Sequence, residues 1–250
     1  MALGGRICLL ACIIAAVCAT NSREAQGAPR AVTYGSAIAL VHEASGHKLY
    51  SGKISWGSGS VGQAVTAQPA TDATASLWSV RAAALPAPSP LDPQQPAGSP
   101  PPTVGAGVPV RCGSSVVLEH VGSQALLRTG PAEAPLSPNH EVGAALVPEG
   151  RDSRFVVECT GDGDVWRVGH PVKLRNMLLG ANLQASQQHA FSYSNCGRGC
   201  PIAGHLEVSV VRGRPSSWSW QQPADSWTAQ PQLLFFAEGE TEENGLHDEL

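Results

Sequence analysis

The chain has 250 residues, 42% of them hydrophobic and 14% charged, with 20 prolines, 27 glycines and a formal net charge of −4. Between residues 31 and 236 there are 13 basic and 13 acidic residues, which leaves no basic face for nucleic acid or anionic lipid. After the first 20 residues no stretch is apolar for the roughly 20 residues that a membrane-spanning helix needs.

The N-terminus reads as a secretory signal. Arg6 carries the only charge in its first segment, and "ICLLACIIAAV" at 7–17 is an unbroken apolar run, too short to span a bilayer. Small residues in "VCA" suit cleavage after Ala19, with "AQG" at 25–27 as a later candidate, so the expected signal is 1–19, extending at most to 27. Three cysteines leave with it. The remaining four, Cys112, Cys159, Cys196 and Cys200, are an even number in an oxidising compartment, which favours disulfides.

Three segments then repeat without gaps. "GSAIALVHEASGHKLYS" starts at Gly35, "GSSVVLEHVGSQALLRT" at Gly113 and "GHPVKLRNMLLGANLQA" at Gly169, at offsets of 78 and 56. Leu40, Leu118 and Leu174 coincide, as do Leu49, Leu127 and Leu183, and Ile38, Val116 and Val172. His42 and His120 share a column in which the third copy has Asn176. A recurrent histidine without a catalytic partner reads as architecture. Turns are expected at Gly46, Gly122 and Gly180, and further strands centre on Val65, Val142 and Val208. An aromatic marker closes each copy: Trp78, Phe155 and Trp227.

The period within each copy is two, and no stretch sustains a capped 3.6 period, so the chain reads as all-β. One such unit buries too little surface alone, whereas three can share a core. The expected boundaries are 29–83, 105–160 and 161–214 for the units, with 215–236 as a closing strand. Between the first two lies 85–109, which holds nine of the prolines and reads as a disordered or polyproline-like surface loop.

The third unit carries "SNCGRGCPIAGH". Cys196 and Cys200 with His189 and His205 have the residue types for zinc, but a Cys-x3-Cys disulfide across a glycine-rich turn is simpler in an oxidising compartment. Asp162 and Asp164 in "GDGD" lack the further oxygens of a calcium loop and read as the turn between the second and third units. "SSWSW" places Trp218 and Trp220 on one face of any strand, a candidate ligand surface. The stretch 237–250 is acidic and ends in His247, Asp248, Glu249 and Leu250, an endoplasmic reticulum retention address read by a receptor.

"VTYGSAIAL", "HKLYS", "SWGSGSVGQAVTA", "RCGSSVVLEHV" and "GRGCPIAGHLEV" together resemble the MIR-domain proteins of the stromal cell-derived factor 2 type over roughly residues 30–230. The resemblance implies a β-trefoil of three MIR repeats with pseudo-threefold symmetry. It also implies a Cys112–Cys159 bridge, since the family pattern has cysteines at both places. Its functional implication is a non-enzymatic accessory in the endoplasmic reticulum lumen, working with a J-domain co-chaperone and the BiP-type chaperone on unfolded clients. No cofactor or metal is expected. MIR units also occur in protein O-mannosyltransferases, so the alternative is a carbohydrate- or glycopeptide-binding module using Trp218 and Trp220. An enzyme is disfavoured because those transferases place catalysis in membrane spans that this chain lacks.

Overall fold

The computed structural model describes residues 30–69, 74–84, 104–211 and 224–236. The apolar run, residues 85–103 of the proline-rich insert, Trp218, Trp220 and the retention address lie outside the described residues. Twelve strands follow in order: β1 (Ala37–His42), β2 (Lys48–Ser55), β3 (Gln63–Gln68), β4 (Trp78–Ala82), β5 (Ser115–His120), β6 (Leu126–Glu133), β7 (His140–Ala145), β8 (Arg154–Cys159), β9 (Pro171–Asn176), β10 (Leu183–Ala190), β11 (Leu206–Val210) and β12 (Trp227–Leu233). A 3-10 turn (Thr74–Ser76) precedes β4, and one turn of helix, Tyr193–Cys196, interrupts the β10–β11 connection. Four strands belong to each repeat.

The first and last strands of the repeats form a closed ring. β1 pairs with β4, β4 with β5, β5 with β8, β8 with β9, β9 with β12, and β12 returns to β1, every pair antiparallel. Closure leaves this barrel no free edge. The middle strands form three hairpins, β2–β3, β6–β7 and β10–β11, whose inner strands β3, β7 and β11 pair with one another and cap the barrel. This is a β-trefoil.

The aligned columns become shared layers of the core. Ile38, Leu40, Leu49, Leu118, Leu127, Leu174, Leu183 and the three aromatic markers are fully buried together. Each such side chain contributes about 1.5–3 kcal/mol by leaving water. The indoles also donate to backbone, Trp78 Nε1 to the Leu49 carbonyl and Trp227 Nε1 to that of Leu183, each at 3.0 Å. Phe155 has no such donor.

The opposite end closes on a triangle of backbone bonds. Val32 N–H donates to the Trp166 carbonyl (2.8 Å), Trp166 to Val110 (2.8 Å) and Val110 to Val32 (2.9 Å). Gly35, Gly113 and Gly169 then turn each copy into its first strand with φ of 87°, 83° and 72°, a region that favours glycine. This triangle corrects two expectations. Residues 104–109 are part of the body: Tyr34 N–H donates to the Val108 carbonyl and Thr33 bridges Pro109. "GDGD" is not a tight hairpin turn; it opens the longer stretch 160–170, which must carry Trp166 to the axis.

Candidate functional site

Each turn after β1, β5 and β9 is pinned by the side chain that ends the strand. His42 Nε2 lies 3.0 Å from the Ala224 carbonyl and its Nδ1 2.8 Å from Ser45 Oγ. His120 repeats this with the Ala75 carbonyl (3.2 Å) and Ser123 Oγ (2.8 Å). In the third copy Asn176 Nδ2 donates to the Asp152 carbonyl (2.8 Å), and its Oδ1 accepts from Leu178 and Leu179 N–H. The three carbonyls each stand three residues before an aromatic marker. A carbonyl only accepts, so Nε2 carries the proton on both rings, and Nδ1 of the neutral ring accepts from the serine. Desolvation pushes the pKa of both histidines below the ordinary value, against the hydrogen bond to the carbonyl, which raises it. Tilted contacts with Trp227 and Trp78, centroids 5.2 Å apart in each case, complete the cage. These histidines are structural.

The second turn departs from expectation. Gly46 and Gly180 have φ of 70° and 64°, but the aligned residue between them is Gln124, at 56°. Gly122 instead gives room: a Cβ there would come 3.2 Å from Cε1 of the His120 ring.

Grooves open where a hairpin faces the turn of the next repeat. One cavity, of about 280 Å³, lies between β2, residues 74–75 and the turn at 120–123. Its counterpart, about 300 Å³, lies between β10, Ala224 and the turn holding His42 and Ala44. At the remaining junction Arg128 Nε donates to Asp152 Oδ2 at 2.8 Å, and Ser60 and Val61 pack over Gly130. A further cavity of about 280 Å³ sits beside Cys159, with Asp162, Arg167 and His170 in its wall.

The cap holds two buried carboxylates that the sequence pattern did not single out. Glu141 and Glu207 precede the central valines of β7 and β11, and Ala64 stands in the same place on β3. Glu141 accepts from Ser58 Oγ (2.7 Å) and Ser60 Oγ (2.6 Å), while Glu207 accepts from Leu136 N–H and Ser137 Oγ, both at 2.5 Å. Each carboxylate thus anchors the hairpin loop of the preceding repeat. Beside Ala64 that role passes to apolar packing. Phe191, Cys200 and Ile202 from the β10–β11 connection bury against Val61 and Trp56, and the Trp56 ring stacks on Phe191 at 5.7 Å.

Both cysteine pairs are bonded. Cys112–Cys159 joins the lead-in of β5 to the end of β8, with Cα atoms 5.6 Å apart, and Cys196–Cys200 staples the β10–β11 connection at 5.3 Å. The bond removes both thiolates that a zinc site would need. His205 is engaged elsewhere, its Nδ1 2.9 Å from Thr66 Oγ1 and its ring edge-on to Tyr50. Asp164 pairs with Arg111 at 3.4 Å in an exposed contact of small energetic value.

No family model matches the chain. It is 30% identical to human stromal cell-derived factor 2-like protein 1 over 88% of its own length and 84% of that protein. The crystal structure of the SDF2-like protein from Arabidopsis thaliana superposes with a TM-score of 0.61 over 80% of this chain and 95% of that one, at 23% identity. In the S. cerevisiae protein O-mannosyltransferase Pmt1–Pmt2 complex, a portion equal to 26% of the matched chain covers 84% of this one at a TM-score of 0.60 and 16% identity, a likeness of fold. With its triplicated units closing one trefoil, the chain belongs to the stromal cell-derived factor 2-like family of MIR-domain proteins.

Proposed function

We propose that this chain is a non-enzymatic chaperone accessory of the endoplasmic reticulum lumen. It acts through surface contacts, alongside a J-domain co-chaperone and the BiP-type chaperone, on unfolded client proteins. Family membership is the observation that carries the reading. The apolar run at 7–17 and the terminal His247, Asp248, Glu249 and Leu250 support the compartment. The geometry is compatible with a scaffold. A closed barrel with its histidines locked into turns offers a rigid body whose hairpins vary from copy to copy.

The test keeps the C-terminus free and places an affinity tag after the signal segment. Purification from intact cells is expected to recover a lumenal J-domain protein, and the purified chain is expected to slow aggregation of a reduced, unfolded test client. Recovery of neither activity, in a preparation that is folded by circular dichroism, sinks the proposal.

A further inference from the structure

The two disulfides differ in what can reach them. Cys112 and Cys159 are both partly buried, and their bond ties the lead-in of β5 to the end of β8 across 47 residues. Cys196–Cys200 spans 4 residues and is asymmetric. Cys196 is exposed, as are Gly197, Arg198 and Gly199 after it. Cys200 is 8% exposed and packs with Trp56, Phe191 and Ile202. An outside thiolate can therefore come to Cys196 and not to Cys200. Exposed disulfides are the labile ones, because exchange begins when a thiolate reaches a sulfur.

The connection that carries this bond is also held by other means. Phe191 N–H donates to the His205 carbonyl and Gly204 N–H to that of Phe191, both at 2.8 Å, which closes the neck of the loop. Asn195 fixes the turn on which Cys196 sits: its Oδ1 accepts from Ser192 N–H (2.8 Å) and its Nδ2 donates to the Ala190 carbonyl (2.9 Å). None of these contacts passes through sulfur, so the bond can open with the neck still closed.

The surroundings suit a thiolate borne by a peptide. Arg198 is the one charged residue between the cysteines, and no Asp or Glu occurs from 185 to 206, so an incoming anion meets a cation there. Tyr193, 65% exposed, stands three residues before Cys196 on the same helical turn, and the two share a face. An exposed ring beside an exposed sulfur offers contact to apolar side chains flanking a cysteine, which glutathione lacks.

We propose that Cys196–Cys200 is a thiol–disulfide exchange site that captures a cysteine in an extended segment of another protein. The segment's thiolate attacks Cys196 Sγ, the Cys196–Cys200 bond breaks, and Cys200 Sγ leaves with the electron pair and takes a proton from water. A new S–S bond joins the segment to Cys196. Where the segment has a second cysteine, that thiolate attacks the segment's own sulfur in the mixed disulfide, and Cys196 leaves. The segment is then oxidised by two electrons to a disulfide, and Cys196 and Cys200 are reduced to the dithiol. This is one exchange per chain, without turnover, and it does not rest on the accessory reading above.

The experiment treats the oxidised, folded mature chain with an acetylated, amidated peptide carrying one cysteine between valines, or with glutathione at equal thiolate concentration. Products are mapped by mass spectrometry after acid quenching. The expected product is one peptide on Cys196, with Cys200 a free thiol and Cys112–Cys159 intact. It is expected to form at least about tenfold faster than Cys112–Cys159 opens, and faster than the glutathione adduct. Tyr193→Ala, an exposed substitution, is expected to bring the peptide down to the glutathione rate with the circular dichroism spectrum unchanged. No adduct, a peptide attached at Cys200, or both bonds opening at one rate overturns the proposal. So does glutathione outpacing the peptide, which would make the pair a site for small thiols, or an unchanged peptide rate in Tyr193→Ala. Loss of the folded near-ultraviolet spectrum as the bond opens also overturns it, since the bond would then be a structural staple.

Discussion

The barrel and its cap are made from the same three repeats and treat them differently. Around the ring, equivalent positions carry near-equivalent residues: Leu40, Leu118 and Leu174 are fully buried, and His42, His120 and Asn176 each bond the equivalent carbonyl three residues before an aromatic marker. In the cap, equivalent positions carry Ala64, Glu141 and Glu207, and the loops they anchor are of different kinds. The difference follows from packing. A core column meets its own copies about the axis, so a change in one is felt by all three. A cap loop meets one neighbour and water, and can drift. Specific contacts with other chains are therefore to be sought on the cap and the junctions beside it.

Removing a disulfide from each region should separate them most widely. Cys112→Ala with Cys159→Ala releases a link across 47 residues and should cost about 4 kcal/mol in the chain-entropy account, read as a lower urea midpoint. Cys196→Ala with Cys200→Ala spans only 4 and should cost about 2 kcal/mol. Equal losses would mean that the cap staple holds more than its own loop.

A core truncation sharpens the same contrast. Leu118→Ala, in the ring, should lose about 3 kcal/mol, while Ile54→Ala, on the edge of the cap cluster, should lose about 1 kcal/mol or less. Comparable chemical denaturation curves for the two would contradict a ring-dominated core.

His42 and His120 give the ring a pH dependence. Their folded pKa values lie below the unfolded value of 6.5, so the unfolded chain binds protons more readily. Their contribution is complete above about pH 6.5 and declines as pH falls from there through the lowered folded values. His205, also lowered by burial and then by His47, acts in the same sense from the cap. Replacing His42 and His120 with asparagine, as the third copy already has at Asn176, should keep the fold and flatten the ring's share of that decline. Thermal melts between about pH 7.5 and about pH 5, a span that crosses the unfolded His value, check it.

The smallest expected effect is a gain. Gln124 holds a left-handed conformation that glycine adopts at the two equivalent turns. Gln124→Gly should stabilise the chain by about 0.5–1 kcal/mol. A loss there would show that the Gln124 side chain does more than the backbone strain it brings.

The sequence disclosed the ring because its columns stay in step at fixed offsets, and buried columns must be apolar. It misled at Gly122, where a glycine two residues early looks like the turn but serves the His120 ring. Glu141 and Glu207 escaped notice because alternation alone reads a Glu beside a buried valine as solvent-facing. Pairing among β3, β7 and β11 puts both faces of these strands indoors, and only the assembled cap reveals that.

The pairing of β1 with β12 has a consequence for synthesis. Val41 lies beside Thr228 and Ala39 beside Gln230, so a strand made near the start waits for one made near the end. At about 5–20 residues per second, the ribosome needs on the order of 10–40 seconds to deliver the partner. During that interval the barrel is an open sheet with an adhesive rim. The nascent polypeptide thus presents, for a time, the same hazard that chaperones exist to cover.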